Sequence, residues 1–269
     1  SLADGKYSRG VVGLVTGSAR YPGAAVLSAR AAACANVGMV RYLGPQRAQD
    51  MILSVLPEAV LGKGRVQSGA VGSGVPAEGD VASGDDMQRA TIAALLDHYA
   101  LEDGDGSRNE RAEGMPPIVV DAGALDLLPC HVVPQVVITP HAGELAALLN
   151  RLDADMADVV SRQWVEARPL RAALRAHELT GATVLLKGAV TIVVGADGDG
   201  NTRIILSGRA PAWMATAGSG DVLAGVLGAL LAQQDDMLSD DPALVPEVAA
   251  AAAYMHGLAG AMASGSEQR

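Results

Sequence analysis

The segment best suited to chemistry is Met-Ala-Thr-Ala-Gly-Ser-Gly-Asp at residues 214–221, which opens an apolar stretch typical of a helix. Because Gly218 and Gly220 have no side chains, their N–H groups and that of Ser219 can face an anion, and the helix adds its positive end. Asp221 follows in the first turn. It either stabilises the helix terminus or acts as a general base while the amides hold a transferring phosphoryl group. The motif alone leaves both interpretations open.

A second candidate is Thr-Pro-His-Ala-Gly-Glu at residues 139–144, between a predicted strand and a predicted helix. His141 and Glu144 are three residues apart, so they share a helix face. The pair could hold a substrate or a Mg²⁺-bound phosphate. The alternative is an exposed first helical turn with no ligand.

Four weaker features also follow predicted strands: Lys187, Asp121, Gly72-Ser73-Gly74 and Thr16-Gly17-Ser18. Lys187 could pair with a nucleotide phosphate, although a lysine at a strand end is usually only solvated. Ligands of open α/β sheets bind outside the carboxyl ends of the strands. The convergence of polar and glycine-rich turns there predicts a ligand cleft.

Composition narrows the class of protein. The chain has 269 residues, 20 Lys plus Arg against 30 Asp plus Glu, and a formal charge of −10. This acidic balance argues against a nucleic-acid partner, and the longest apolar run is too short to cross a membrane. Cys34 and Cys130 form no Cys-x-x-Cys pair, so we expect neither a disulfide framework nor a zinc site. We expect a cytoplasmic protein.

The elements that must position these residues alternate between short apolar runs and Ala-rich helical stretches. The alternation predicts an α/β fold with a mostly parallel sheet covered on both faces. Residues 191–194 and 202–206 predict a late antiparallel hairpin at the sheet edge. The polar segments 76–86 and 102–114 are interpreted as surface loops. We find no domain boundary and expect one domain over residues 1–269.

These motifs, in this order and spacing, resemble the ADP-dependent NAD(P)H-hydrate dehydratases of the ribokinase-like superfamily. The match continues in residues 17–25, 120–125 and 256–257, and covers nearly the whole chain. It implies a three-layer α/β/α fold. In that family the dehydratase is often fused behind an amino-terminal epimerase domain, which we expect to be absent here. A separate epimerase is a further expected partner.

The resemblance also implies a reaction. Water that has added to the nicotinamide ring of NADH or NADPH leaves a hydroxyl on C6, and hydroxide is a poor leaving group. The family phosphorylates that hydroxyl from ADP with Mg²⁺, giving AMP, and then eliminates phosphate to restore the cofactor. The S-form of the hydrate is the expected substrate. The resemblance further implies a homo-oligomer, by analogy a tetramer.

Site residues follow from the resemblance position by position. Asp221 is the expected base, with Gly218, Ser219 and Gly220 as the anion hole. Four residues are expected to contact the hydrated dinucleotide: Ala24, Gly74, His141 and Asp221. The adenine nucleotide is expected to contact Lys187, Gly188, Ala189, Val190, Thr191 and Gly220. Glu144 is expected to assist with Mg²⁺ and phosphate.

One departure concerns the turn that carries Gly74. The family commonly has Gly-Pro-Gly-Leu-Gly where this chain has Gly72-Ser73-Gly74-Val75-Pro76, and Pro76 fixes its own φ near −65°.

The residues leave two functions open besides the dehydratase. One is a kinase for a vitamin precursor or a sugar, and the other is a catalytically silent nucleotide-binding or assembly protein.

Overall fold

The computed structural model describes residues 5, 7–80, 86–102, 106–153 and 159–265. Its centre is a nine-stranded sheet with the order β3-β2-β1-β4-β5-β6-β7-β8-β9. The strands from β3 to β7 pair in parallel, and β8 and β9 pair antiparallel, which confirms the mostly parallel sheet and the late hairpin. The strands are β1 (Val11–Val15), β2 (Met39–Tyr42), β3 (Val60–Leu61), β4 (Ser68–Val71), β5 (Ile118–Val120), β6 (Val136–Ile138), β7 (Thr183–Leu186), β8 (Val190–Ala196) and β9 (Thr202–Arg209).

Helices cover the sheet on both faces. They are α1 (Pro22–Cys34), α2 (Gln46–Val55), α3 (Asp86–Leu96), α4 (Gly106–Glu113), α5 (Ala142–Leu152), α6 (Arg162–Ala167), α7 (Pro169–Thr180), α8 (Ser219–Gln233), α9 (Asp235–Asp240) and α10 (Val245–Ser264). One apolar core joins the sheet to α1, α2, α8 and α10. The other joins it to α3, α5 and α7, so the layers are α/β/α. None of the helices in these described ranges is long and apolar enough to cross a membrane.

Some predicted boundaries were wrong for identifiable reasons. The segment 102–114 is not all loop, because α4 forms from residue 106 and is anchored by buried Ala112. Glycines at both ends of that segment suggested a loop, whereas the packing of Ala112 could not be read from sequence. The Ala-rich residues 23–38 predict one helix, but α1 ends at Cys34 because Asn36 takes a φ of +72°, a conformation that asparagine tolerates. In the other predicted loop, residues 81–85 lie outside the described residues.

Candidate active site

The predicted cleft lies along the carboxyl ends of the parallel strands. It has a volume of about 1550 Å³ and is lined by the ends of β5, β6 and β7 and by the first turn of α8. Neighbouring strands in a parallel sheet all end at the same edge, which is why segments far apart in sequence meet here. The cleft brings together most of the predicted site residues: His141, Glu144, Lys187, Gly188, Ala189, Val190, Thr191, Gly218, Ser219, Gly220 and Asp221.

The start of α8 has the geometry of an anion site. Gly218 takes a φ of +90°, so the chain turns from a left-handed residue into the helix. In the described part of the chain, no acceptor is seen for the amides of Gly218 and Gly220, whereas the Ser219 N–H contacts the Thr216 carbonyl at 3.3 Å. Two of the three predicted amide donors are therefore open to a ligand.

Asp221 lies in the first turn of α8, on the cleft wall. Its pKa is raised to about 6, chiefly by burial and further by the nearby charge of Asp121, while Lys187 opposes the rise. A carboxylate with a pKa near 6 can accept a proton from a substrate and is still ionised at neutral pH. The side chain is thus suited to general-base chemistry next to the open amides.

Lys187 links two carboxylates at the end of β7. Its Nζ donates to Oδ1 of Asp121 at 2.8 Å and lies 3.6 Å from Oε2 of Glu144. Burial lowers the pKa of Lys187, but the two carboxylates outweigh this effect and the pKa is raised overall. A cation therefore stays fixed in the cleft, and a Cβ on Gly220 would lie only 3.5 Å from it.

His141 and Glu144 form a capping box at the start of α5. His141 Nδ1 accepts from the amides of Gly143 and Glu144 at 3.0 and 3.1 Å, and Glu144 Oε2 accepts from the His141 N–H at 2.7 Å. This explains the spacing of the pair without a ligand. Both residues also line the cleft, so their contact with substrate or Mg²⁺ stays a prediction.

Ala24 and Gly74 lie together but do not line the cleft. Ala24 is 7% exposed, and a Cβ on Gly74 would lie 2.2 Å from the Cβ of Ala24. The turn forms despite Pro76, with Gly74 at a φ of +68°. The buried guanidinium of Arg89 donates to the Pro76 carbonyl at 2.7 Å and supports the turn. Dinucleotide contact by Ala24 and Gly74 stays a prediction.

Comparison with known proteins decides the family. The sequence profile described as NAD(P)H-hydrate dehydratase matches residues 12–269, which is nearly the whole chain. The chain belongs to the NAD(P)H-hydrate dehydratase family. Among solved structures, it matches a ribokinase-like superfamily protein from Enterococcus faecalis V583 with a TM-score of 0.68 and 21% identity, over 96% of this chain and 81% of that one. This likeness confirms the ribokinase-like fold.

Two relatives illustrate the range of the family. The bifunctional NAD(P)H-hydrate repair enzyme Nnr of Mycobacterium tuberculosis (strain CDC 1551 / Oshkosh) is 38% identical over 85% of this chain and 42% of its own length. The ADP-dependent (S)-NAD(P)H-hydrate dehydratase of Xanthomonas campestris pv. campestris is 31% identical over 87% of this chain and 76% of its own length. The chain thus spans less than half of the bifunctional relative.

Sequence reasoning missed some cleft residues of this family member. Arg162 and Glu166 line the cleft from α6, where they pair with each other at 2.7 Å. No sequence signal distinguishes this pair from an ordinary surface pair at i,i+4. His256 appeared only through the resemblance. Its Nε2 lies 3.5 Å from Oγ of Ser219, and burial lowers its pKa.

We expect Asp221→Asn to stabilise the fold at pH 8. The unfolded carboxyl has a pKa of about 3.9, so an elevated folded pKa means that stability is lost as pH rises from about 4 to about 6. With solvent screening of this partly exposed group, removing the charge gains about 1 kcal/mol, or about 2–4 °C in Tm. Thermal melts at pH 8 and pH 4 test this, and an equal Tm difference at both would contradict it.

We expect Gly74→Ala to lower the Tm by several degrees. The added methyl group overlaps Ala24 in a left-handed conformation, and overpacking typically costs about 1–3 kcal/mol. Gly62→Ala is the control, because Gly62 has a φ of +86° with nothing within 4 Å of the added Cβ. Equal melting temperatures for the two variants would show that the contact with Ala24 is not tight.

Proposed function

We propose that the protein dehydrates the S-form of hydrated NADH or NADPH in a reaction coupled to conversion of ADP to AMP and phosphate. The observation on which this proposal rests is the position of Asp221, whose pKa is raised to about 6. It lies beside the open amides of Gly218 and Gly220 in a cleft of about 1550 Å³. Family membership supports the substrate, and the name of the Xanthomonas relative supports ADP and the S-form. The comparisons do not favour the kinase alternative.

In the proposed mechanism, Asp221 takes the proton from the C6 hydroxyl as that oxygen attacks the β-phosphorus of ADP. AMP leaves, and the amides of Gly218 and Gly220 together with Lys187 balance charge on the phosphoryl group. Phosphate then leaves from C6 and a proton is lost from C5 to solvent, which restores the C5–C6 double bond of the nicotinamide ring. Residues 187–191 line the cleft, which supports their proposed contact with the adenine nucleotide.

Glu144 would hold Mg²⁺ together with the nucleotide phosphates, and the ion would supply positive charge against them. Across the described ranges, no group of three or more His, Cys, Asp or Glu side chains is arranged to hold a metal. This fits Mg²⁺, which usually binds through one or two carboxylates plus substrate phosphates. Glu144 is the proposed carboxylate, although its Oε2 already accepts from the His141 N–H at 2.7 Å.

The wider biological setting is also proposed. We place the reaction in the cytoplasm, where its substrates occur, within a single dehydratase domain. We also propose a homo-oligomer, by analogy a tetramer. Strand β9 and helix α10 pack against each other and carry exposed apolar side chains that support it: Leu206, Tyr254, Met255, Leu258 and Met262. One relative is a bifunctional repair enzyme. This supports a second enzymatic activity, fused or separate, as a partner of the dehydratase.

The test uses separated epimers of NADH hydrate with Mg²⁺ and either ADP or ATP. NADH absorbs at 340 nm and its hydrate does not, so we expect a nucleotide-dependent rise with the S-form. Without a rise from either donor, in protein that binds ADP by calorimetry, the proposal fails. The relative rates with ADP and ATP identify the donor.

A further inference from the structure

The buried carboxylate of Asp121 is the centre of a hydrogen-bond network under the cleft. Its side chain is 4% exposed, and it accepts from Ser73 Oγ, Thr139 Oγ1 and Lys187 Nζ, each at 2.8 Å. The three donors come from the turn after β4 and from the ends of β6 and β7. The carboxylate therefore ties together three strand ends.

Among the three donors to Asp121 in the described chain, Lys187 alone lines the cleft, and its ammonium also approaches the anion site. It lies 21% exposed between Asp121 and Glu144, and a Cβ on Gly220 would be 3.5 Å from its Nζ. A lysine has a flexible four-carbon stem, so a fixed ammonium requires fixed acceptors. Of the two carboxylates, Asp121 makes the shorter contact with the ammonium and is the more buried.

We propose that Asp121 is a positioning residue that holds the Lys187 ammonium against the first turn of α8, ready for an incoming phosphoryl group. The identity of that phosphoryl group rests on the proposed function. A cation held in place before the ligand arrives needs no reorganisation during the reaction, which makes its charge more effective. Without the carboxylate, the ammonium would be free to swing toward Glu144 or solvent.

The same charge acts on Asp221. Asp121 raises the pKa of Asp221 and Lys187 lowers it, and Glu144 and His256 line the same cleft. A neutral side chain at position 121 removes the first effect and lets Lys187 move away, which weakens the second. Because the effect of Asp121 is the larger of the two, the pKa of Asp221 still falls. A buried carboxylate that only supports the fold would leave this pKa unchanged.

The test is Asp121→Asn, which keeps the size of the side chain and removes its charge. We expect kcat to fall on the order of 10²-fold, the usual effect of a misplaced reacting partner. We also expect the acid limb of the kcat/KM profile to move to lower pH. The ¹³C titration of the Asp221 carboxyl in ligand-free protein should shift in the same direction.

Asp153→Asn is the matched control, since Asp153 is a buried carboxylate paired with Arg175 at the far end of α5. It should lower the Tm and leave the acid limb in place. If Asp121→Asn does not fold, Lys187→Gln should move the Asp221 titration to higher pH.

The positioning role would be overturned if the titration of Asp221 is unchanged in the variant that folds. It would also be overturned if Asp153→Asn shifts that titration equally. That outcome is separable from failure of the proposed function, because the titration needs no substrate. Inactive wild-type protein with the expected titration shifts would reject only the reaction.

Discussion

Asp221→Asn should reduce the rate of NADH formation by roughly 10²–10⁴-fold, the range expected for loss of a general base. Asparagine keeps the shape of the side chain but cannot accept the proton of the C6 hydroxyl. The loss should appear in kcat, because the open amides and Lys187 remain to bind the nucleotide. Absorbance at 340 nm measures the rate, and calorimetry with ADP measures the binding.

The control for this variant is Asp235→Asn. Asp235 is also an aspartate in the first turn of a helix, α9, and lies outside the cleft. Burial raises the pKa of Asp235 as it raises that of Asp221, so the substitution removes a comparable charge without any loss of rate. Near-wild-type turnover by Asp221→Asn would show that Asp221 is not the base.

Gly218→Ala should lower kcat by about 10²–10³-fold, the effect of losing a donor in an oxyanion hole. Gly218 has a φ of +90°, and an added Cβ would lie 2.6 Å from Leu27 Cδ1 on α1. The exposed Leu27 side chain can turn away from the added methyl group, but alanine disfavours the left-handed φ, so the turn relaxes away from it. That movement displaces the amides from the group that they are proposed to hold.

Gly200→Ala separates this effect from backbone strain. Gly200 has a φ of +78° in the β8–β9 turn, and nothing lies within 4 Å of its added Cβ. Both variants should lose stability from the left-handed conformation, at about 1–2 kcal/mol. Only Gly218→Ala should lose kcat at a temperature where both are folded. Equal rates would show that the amides make no difference to the reaction.

The sequence predicted the sheet well because its strands are buried on both faces. Such strands are continuous apolar runs, and β5 (Ile-Val-Val) and β6 (Val-Val-Ile) are examples. The two-residue strand β3 and the short helices α6 and α9 were not predicted. They contain too few residues for a periodic pattern, and packing against neighbouring elements fixes them.

The site was predictable to the extent that its function depends on local backbone chemistry. Gly218, Gly220 and Asp221 stood out because glycines before an apolar helix have a direct physical meaning. The spacing of His141 and Glu144 was likewise visible, but it was interpreted as a shared helix face, whereas the structure forms a capping box. The contacts of these residues could not be predicted. Glu144 was predicted to assist Mg²⁺, whereas in the structure its Oε2 accepts from the His141 N–H.

By itself, the sequence determined the alternating elements, the glycine turns and the side chains that could act at strand ends, because each depends on residues within about a dozen positions. Only the tertiary structure decided that Asp121 and Lys187 are hydrogen-bonded across 66 residues. It also placed Ala24 against Gly74, away from the cleft wall. The physical reason is that pairing of strands and burial of charge depend on sheet order, which no local pattern encodes.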